Sequence, residues 1–196
     1  MIDARVSMIT VFDTETTGLP NNWKAPVEEL HNWPRAVQIS WANMSSEGKI
    51  LEKNNHIIYP DGFQIPMEAS RIHGITTKIA KEEGKSISSV LDRIYDDISS
   101  ADTVVAHNIS FDKNILGAEF LRADMNNILR YKTKFCTMLN TTKLCKIPGK
   151  YGYKWPTLTE LHMFLFGNGF EGAHDALNDV LACAACYFEL KNRDYL

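Results

Sequence analysis

The stretch "MITVFDTETTG", Met8 to Gly18, constrains this chain more than any other. Met8, Ile9, Val11 and Phe12 form a near-continuous apolar run, as in a strand buried on both faces. That strand is expected to end at Asp13. Residues i and i+2 of a strand point to the same side, so Asp13 and Glu15 project together. Like charges held side by side raise each other's pKa unless something positive lies between them. The pair therefore marks either an exposed strand end or a cation site, and by itself it does not choose.

The pattern downstream sets the fold class. "RAVQISWANM" and "ILEKNNHIIYP" read as two strands joined by the turn "SSEG", a hairpin. "PMEASRIHGIT" predicts a short helix stopped at Gly74. Ile87, Val90, Leu91, Ile94 and Ile98 recur at helical spacing. "DTVVAHN" is a short buried strand, followed by a helix for which Ser110 is the expected N-cap. "KTKFCTM" reads as the last strand, and "PTLTELHMFLFG" and "HDALNDVLACAACYFELKNR" as two closing helices. A hairpin-rich start followed by alternating strands and helices predicts an α/β fold with a mixed central sheet, in a single domain over residues 1–196.

Bulk properties exclude several classes. At 196 residues, 44% hydrophobic and 23% charged, the chain suits one soluble domain with a sizeable core. It has no apolar run long enough for a membrane span, and "MIDARVSMITVFD" has none of the features of a secretory signal. A cytoplasmic location with no membrane partner is expected. Cys183 and Cys186 make a C-x2-C, but Cys136 and Cys145 lie nine apart and supply no matching pair. Within the Ala-rich run "LACAACYFEL" the two cysteines read as small buried helix residues.

The net charge is -3, yet Arg130 to Trp155 carries seven basic residues and no acidic one. Lys143, Lys146, Lys150 and Lys154 flank "IPGKYGYKWP", where Tyr151, Tyr153 and Trp155 offer aromatic faces. A mobile loop of this kind suits a single-stranded nucleic acid, with Lys146, Lys150 and Lys154 on phosphates and rings stacking on bases. A solvated lysine-rich loop reads the same way from charge alone.

Other carboxylates fall at similar junctions. "AHNISFD" puts His107, Asn108 and Asp112 where a strand gives way to a helix. "AHDALNDV" puts His174 at a helix start and Asp179 inside the helix. Five residues turn a helix through about 500°, so the two cannot share a face, and His174 must lean over the site from a loop. Strand ends and helix starts along one sheet edge are where α/β proteins place their ligands. Four carboxylates with no cysteine cluster favour a hard cation such as Mg2+ or Mn2+. Two such ions would sit between Asp13 and Glu15 and let them be neighbours.

D-x-E-T-T-G, then H-N-x2-F-D, then H-x4-D, together with "HGIT" and "YKWPTLTEL", resembles the DEDDh branch of the DEDD 3′–5′ exonucleases. This is the family of the bacterial DNA polymerase III proofreading subunit. The pattern runs from Asp13 to Asp179, nearly the whole chain. The resemblance implies a ribonuclease H-like fold and two Mg2+ or Mn2+ ions on Asp13, Glu15, Asp112 and Asp179, with His174 as general base. It also implies that Leu19 and Phe111 flank a terminal base, that Thr14, Thr16 and Asn108 lie near the 3′ nucleotide, and that His73 lines the substrate pocket. His107 is expected to orient the strand end, and His162 to be a satisfied core histidine. The loop from Leu19 to Pro34 is longer than in compact relatives, and Trp23 and Trp33 are expected to cap a small core of its own. Only 17 residues follow Asp179, so no polymerase-binding tail is expected and a stand-alone nuclease is favoured.

The function so read is a metal-dependent 3′–5′ exonuclease on single-stranded nucleic acid, with DNA favoured and nucleoside 5′-monophosphates as products. An exoribonuclease is the alternative within the class, since no device for reading a 2′-hydroxyl is evident. A non-catalytic binding module of the same fold ranks lower, because it would be expected to lack one of the carboxylates or His174.

Overall fold

The computed structural model describes residues 7–196. A five-stranded sheet in the order β3-β2-β1-β4-β5 forms its centre. It comprises β1 (Met8–Thr16), β2 (Ala36–Ser45), β3 (Ile50–Ile57), β4 (Thr103–Ala106) and β5 (Thr133–Cys136). β1 pairs antiparallel with β2 and parallel with β4, so the sheet is mixed, as expected. β1 does not stop at Asp13. It continues to Thr16, because β2 keeps pairing alongside it through Glu15↔Gln38.

The helices are α1 (Met67–His73), α2 (Thr77–Glu83), α3 (Ile87–Ser100), α4 (Ile109–Arg122), α5 (Thr137–Cys145), α6 (Leu158–Phe166) and α7 (Ala176–Asn192). Alternation along β1 feeds two layers. Phe12 points to one face with Ile39, Trp41 and Val104, where α3 brings Leu91, Ile94 and Ile98 and α4 brings Ile115 and Leu116. Ile9 and Val11 point to the other, with Ala42, Met44 and Val105, against Val180, Cys183, Ala184 and Tyr187 of α7. Cys183 and Cys186 are buried helix residues, as predicted. Asp13 and Glu15 continue the α7 face of β1, whereas Thr14 faces α4.

Several local expectations are corrected. Asn108, in the left-handed conformation at φ 65°, is the residue that enters α4, while Ser110 lies inside the helix with its hydroxyl donating to Asn108 Oδ1. α2 and α5 went unread in the sequence. The stretch around Lys146 to Lys154 is no plain loop: α5 runs to Cys145, and a small hairpin follows, β6 (Pro148–Gly149) with β7 (Gly152–Tyr153). The Leu19–Pro34 segment is pinned. Arg122 donates to the carbonyls of Leu30 and Trp33 at 2.6 and 2.7 Å, and Asn32 and Asn22 exchange two hydrogen bonds. Trp33 belongs to the main core rather than to a core of the loop's own. His162 is only half-buried; its Nδ1 lies 2.8 Å from the carbonyl of Asn168 and its ring packs on Phe166 and Phe170.

Candidate active site

The fold gathers carboxylates from three distant parts of the chain. β1 supplies Asp13 and Glu15, α4 supplies Asp112 from its first turn, and α7 supplies Asp179 from its own. Thr14 ties the first two parts together. Its N–H and its hydroxyl both donate to Asp112 Oδ1, at 3.1 and 2.8 Å, across 98 residues. Ligand atoms of Glu15, His174 and Asp179 all lie within 4.8 Å of one another.

His174 stands just before α7, as the helical spacing required. It adopts φ 69°, a left-handed conformation that non-glycine residues rarely take, and its N–H donates to Asp179 Oδ2 at 3.2 Å. Asp175 caps α7 by accepting from the N–H groups of Leu177 and Asn178. Gln38, next to Glu15 in the sheet, accepts from the N–H of Ala176 at 3.4 Å and fixes the helix start against β2.

The electrostatics are lopsided. Burial pushes Asp13 well above the usual carboxylate range, and Asp112, Asp179, Glu15 and Asp175 add to the shift. Burial also lifts Glu15 to about 8, with Asp179, Asp112 and Asp175 adding repulsion. Asp112 is pushed up to about 7 by burial, although the two bonds from Thr14 work against it. Asp179 is raised by burial, against the pull of the His174 N–H. Acids this crowded favour their neutral forms until a cation relieves the repulsion. The donor set is carboxylate oxygen plus one imidazole, which fits a hard divalent ion. Asp175 is the member that sequence reasoning missed. Its place in "HDALND" signals an N-cap, and only the folded arrangement brings its charge near enough to Asp13 and Glu15 to add to their repulsion.

The remaining sequence-derived candidates divide. Phe111 packs its ring against Trp23 at 5.6 Å between centroids, and Leu19, four residues before Trp23, is 70% exposed. Thr14 is buried with its polar atoms committed to Asp112, and the hydroxyl of buried Thr16 donates to the carbonyl of Gly18 at 2.6 Å. Both threonines thus support the backbone of the site. Asn108 stands at the entry to α4. His73 lines a cavity of about 330 Å3 with Gln38, His56, Lys85 and Asp175. Burial lowers its pKa, opposed by the neighbouring carbonyl of Thr16. His107 orients the end of β4, as expected: its Nε2 donates to the carbonyl of Pro156 at 3.0 Å and its Nδ1 accepts from Thr137 at 2.9 Å. Burial holds its pKa down to about 4.

The cations of the basic segment have partners of their own. Lys146 is the left-handed cap of α5, Lys150 sits over the Tyr151 ring, and Lys154 forms an ion pair with Glu160 at 2.6 Å. Glu160 also closes the capping box of α6 with Thr157.

Residues 10–187 match the model of the RNase_T family, described as exonucleases. The chain belongs to that family. It is 27% identical to the DNA polymerase III epsilon subunit of Rickettsia conorii over 183 residues, 92% of this chain and 72% of the relative. It is 31% identical to a PolC-type DNA polymerase III of Streptococcus pyogenes over 127 residues, 65% of this chain and 8% of that one. Among solved structures, E. coli exonuclease I bound to a dT13 oligonucleotide superimposes with a TM-score of 0.76 at 21% identity, over 96% of this chain and 42% of the other. The same enzyme bound to dA16 gives 0.73 at 20% identity, over 95% and 41%. These likenesses establish the exonuclease fold, with its mixed sheet between helices. The chain spans less than half of exonuclease I. No helix among the described residues is long and apolar enough to cross a membrane.

Proposed function

We propose that the chain is a 3′–5′ exonuclease that removes nucleoside 5′-monophosphates from single-stranded 3′ ends, with DNA the favoured substrate. One observation carries the reading: four carboxylates converge from β1, α4 and α7 with His174 beside them. The relatives named for DNA polymerase III support the DNA preference.

Asp13, Glu15, Asp112 and Asp179 would hold two divalent cations, Mg2+ or Mn2+. When bound, these supply Lewis acidity and stabilise charge at the reacting phosphate. The chain's own residues do the rest. Thr14 fixes Asp112 against β1, and Gln38 and Asp175 fix the start of α7, so that Asp179 and His174 arrive together. His174, on an exposed turn, takes the proton from the attacking water as general base. Phe111, Leu19 and Trp23 offer apolar faces for the terminal base. His73 lines a cavity that also takes in Gln38 and Asp175, beside the start of α7.

The test uses matched single-stranded DNA and RNA, each labelled at its 3′ end, with Mg2+ or Mn2+. The expected result is immediate release of the label as a mononucleotide, faster from DNA. Label that stays in a shrinking oligomer would overturn the direction, and faster release from RNA would make the enzyme an exoribonuclease.

A further inference from the structure

Val11 and Val105 are partners in the parallel pairing of β1 with β4, and both lie on the α7 face of the sheet. Two residues further along each chain stand Asp13 and His107, neighbours at the same end of the sheet. The His107 ring keeps to that face. Its partner at 2.9 Å, Thr137 Oγ1, also lies 3.6 Å from Cys183 Sγ of α7. Cys183 follows Asp179 by one helical turn. His107 therefore stands beside the acid cluster on its β5 flank. Its other nitrogen reaches the chain just before α6, where Nε2 donates to the carbonyl of Pro156 at 3.0 Å. On the far side of Trp155, the N–H of Lys154 donates to the carbonyl of Ile147 at 2.9 Å, and its Nζ to Glu160 at 2.6 Å. Trp155 is thus held from both sides, one residue from the His107 contact.

The chain has four tryptophans, and three of them are committed. Trp33 and Trp41 are buried, and their indole N–H groups donate to the carbonyl of Pro26 and to Asp97 Oδ2. Trp23 rests on Phe111. Trp155 is 64% exposed and makes neither a hydrogen bond nor a ring contact among the described residues. An indole left in water on a fixed backbone carries a large apolar face with nothing against it, the kind of surface that binding sites use.

The geometry points to Trp155 as a stacking platform for an unpaired base upstream of the terminal nucleotide. This rests on the proposed activity, which gives the terminal base to Phe111, Leu19 and Trp23. Phe111 packs with the α4 side of the sheet, whereas the His107 anchor lies on the α7 side, so the two aromatic sets serve different nucleotides. The stretch that ends in Trp155 suits a nucleic acid, since Arg130 to Trp155 carries seven basic residues and no acidic one. An indole face stacks on any base without reading its edge, as an enzyme that moves along a strand requires. Because the flanking chain is already held, little further ordering accompanies stacking.

The test measures binding by fluorescence anisotropy, with Mg2+ and a short oligothymidylate labelled at its 5′ end. Phosphorothioates at the 3′-terminal linkages keep the strand from being consumed, and a companion set lacks one base at a time. Trp155→Ala should weaken binding of the intact strand roughly tenfold, the scale of one base–aromatic stack, and Trp155→Phe should keep most of the affinity. In the unaltered protein, loss of one particular upstream base should cost about as much. In Trp155→Ala, loss of that same base should cost nothing more. A structural or electrostatic role would weaken every strand alike without this coupling. That result, or undiminished binding by Trp155→Ala, overturns the platform. Coupling to the terminal base instead overturns the upstream assignment. An unprotected strand tests the activity separately. Mononucleotide release without coupling sinks the platform alone, and coupling without mononucleotide release sinks the proposed activity while Trp155 remains a strand-binding residue.

Discussion

Helix α4 carries two buried carboxylates, Asp112 and Glu119, 3% and 1% exposed, two turns apart. Their surroundings are opposite. Glu119 accepts from Arg35 Nε and from the N–H of Ala36, both at 2.9 Å. Arg122 Nη1 sits 3.0 Å away as an ion pair, out of line for a hydrogen bond. Asp112 has no cationic partner among the described residues, only Thr14 and a group of other acids. The fold can therefore neutralise a buried acid when structure is the purpose. Where it leaves four acids close together, the repulsion costs stability until a cation relieves it, the arrangement that the proposed metal site calls for.

The comparison breaks most sharply under charge removal. Asp13→Asn and Asp179→Asn should each abolish turnover and leave the metal-free protein folded and no less stable, because repulsion falls. Nuclease assays with circular dichroism and thermal melts check both halves. Near-wild-type turnover in either would take that residue out of the ligand set. His174→Ala should slow turnover by about 10²–10⁴, the usual worth of a general base, with metal affinity kept. Calorimetry decides, since His174 lies close enough to Glu15 and Asp179 to be a ligand, and a collapse of metal affinity would make it one. Glu119→Gln should do the reverse of the first pair. Leaving Arg35 and Arg122 without a counter-charge should cost about 3 kcal/mol in denaturant melts, with turnover per folded molecule unchanged.

The same contrast sharpens with pH. Glu15 and Asp112 are raised from 4.5 and 3.8 to about 8 and about 7. Carboxylates raised on folding bind more protons folded than unfolded, so their burden is absent below the unfolded pKa and grows as pH rises toward the folded one. In chelator, the melting temperature should fall between pH values near 4 and near 8, and Asp112→Asn should flatten the fall. Divalent metal should restore stability most at the alkaline end, where the ligands are ionised. The smallest effect belongs to the basic segment. Lys146, Lys150 and Lys154 changed together to Ala should raise KM for long single strands and flatten the salt dependence, leaving a dinucleotide unaffected. Because Lys154 is already paired with Glu160, the effect should come mainly from Lys146 and Lys150. Equal slowing of both substrates would place the segment's influence on the site itself.

What was legible in the sequence was whatever depends on short spacing. The i, i+2 carboxylates, the position of His174 before α7 and the three ordered motifs all repeat in the fold. What was hidden depends on distant partners. β1 reaches Thr16 only because β2 lies beside it. Asn108 takes the entry to α4 at positive φ, an option its short polar side chain tolerates, while the neighbouring Ser110 has the better composition for a cap. α5 was missed because "TMLNTTKLC" is threonine-rich and its cap is the weak acceptor Cys136 Sγ. The clasp of Arg35 on Glu119 spans 84 residues and leaves no local trace.

The order in which the site is gathered has a consequence for the chain during synthesis. β1 precedes the other strands in chain order and lies in the middle of the sheet, so its acids wait for neighbours that are translated later. A ribosome that has delivered everything through β5 has produced Asp13, Glu15 and Asp112, but His174 and Asp179 exist only when the last long helix is made and docks. On the proposed assignment of roles, a half-made chain has no working centre with which to attack a nucleic acid within its reach. Catalytic competence would then arrive in one step, with the packing of α7 on the sheet.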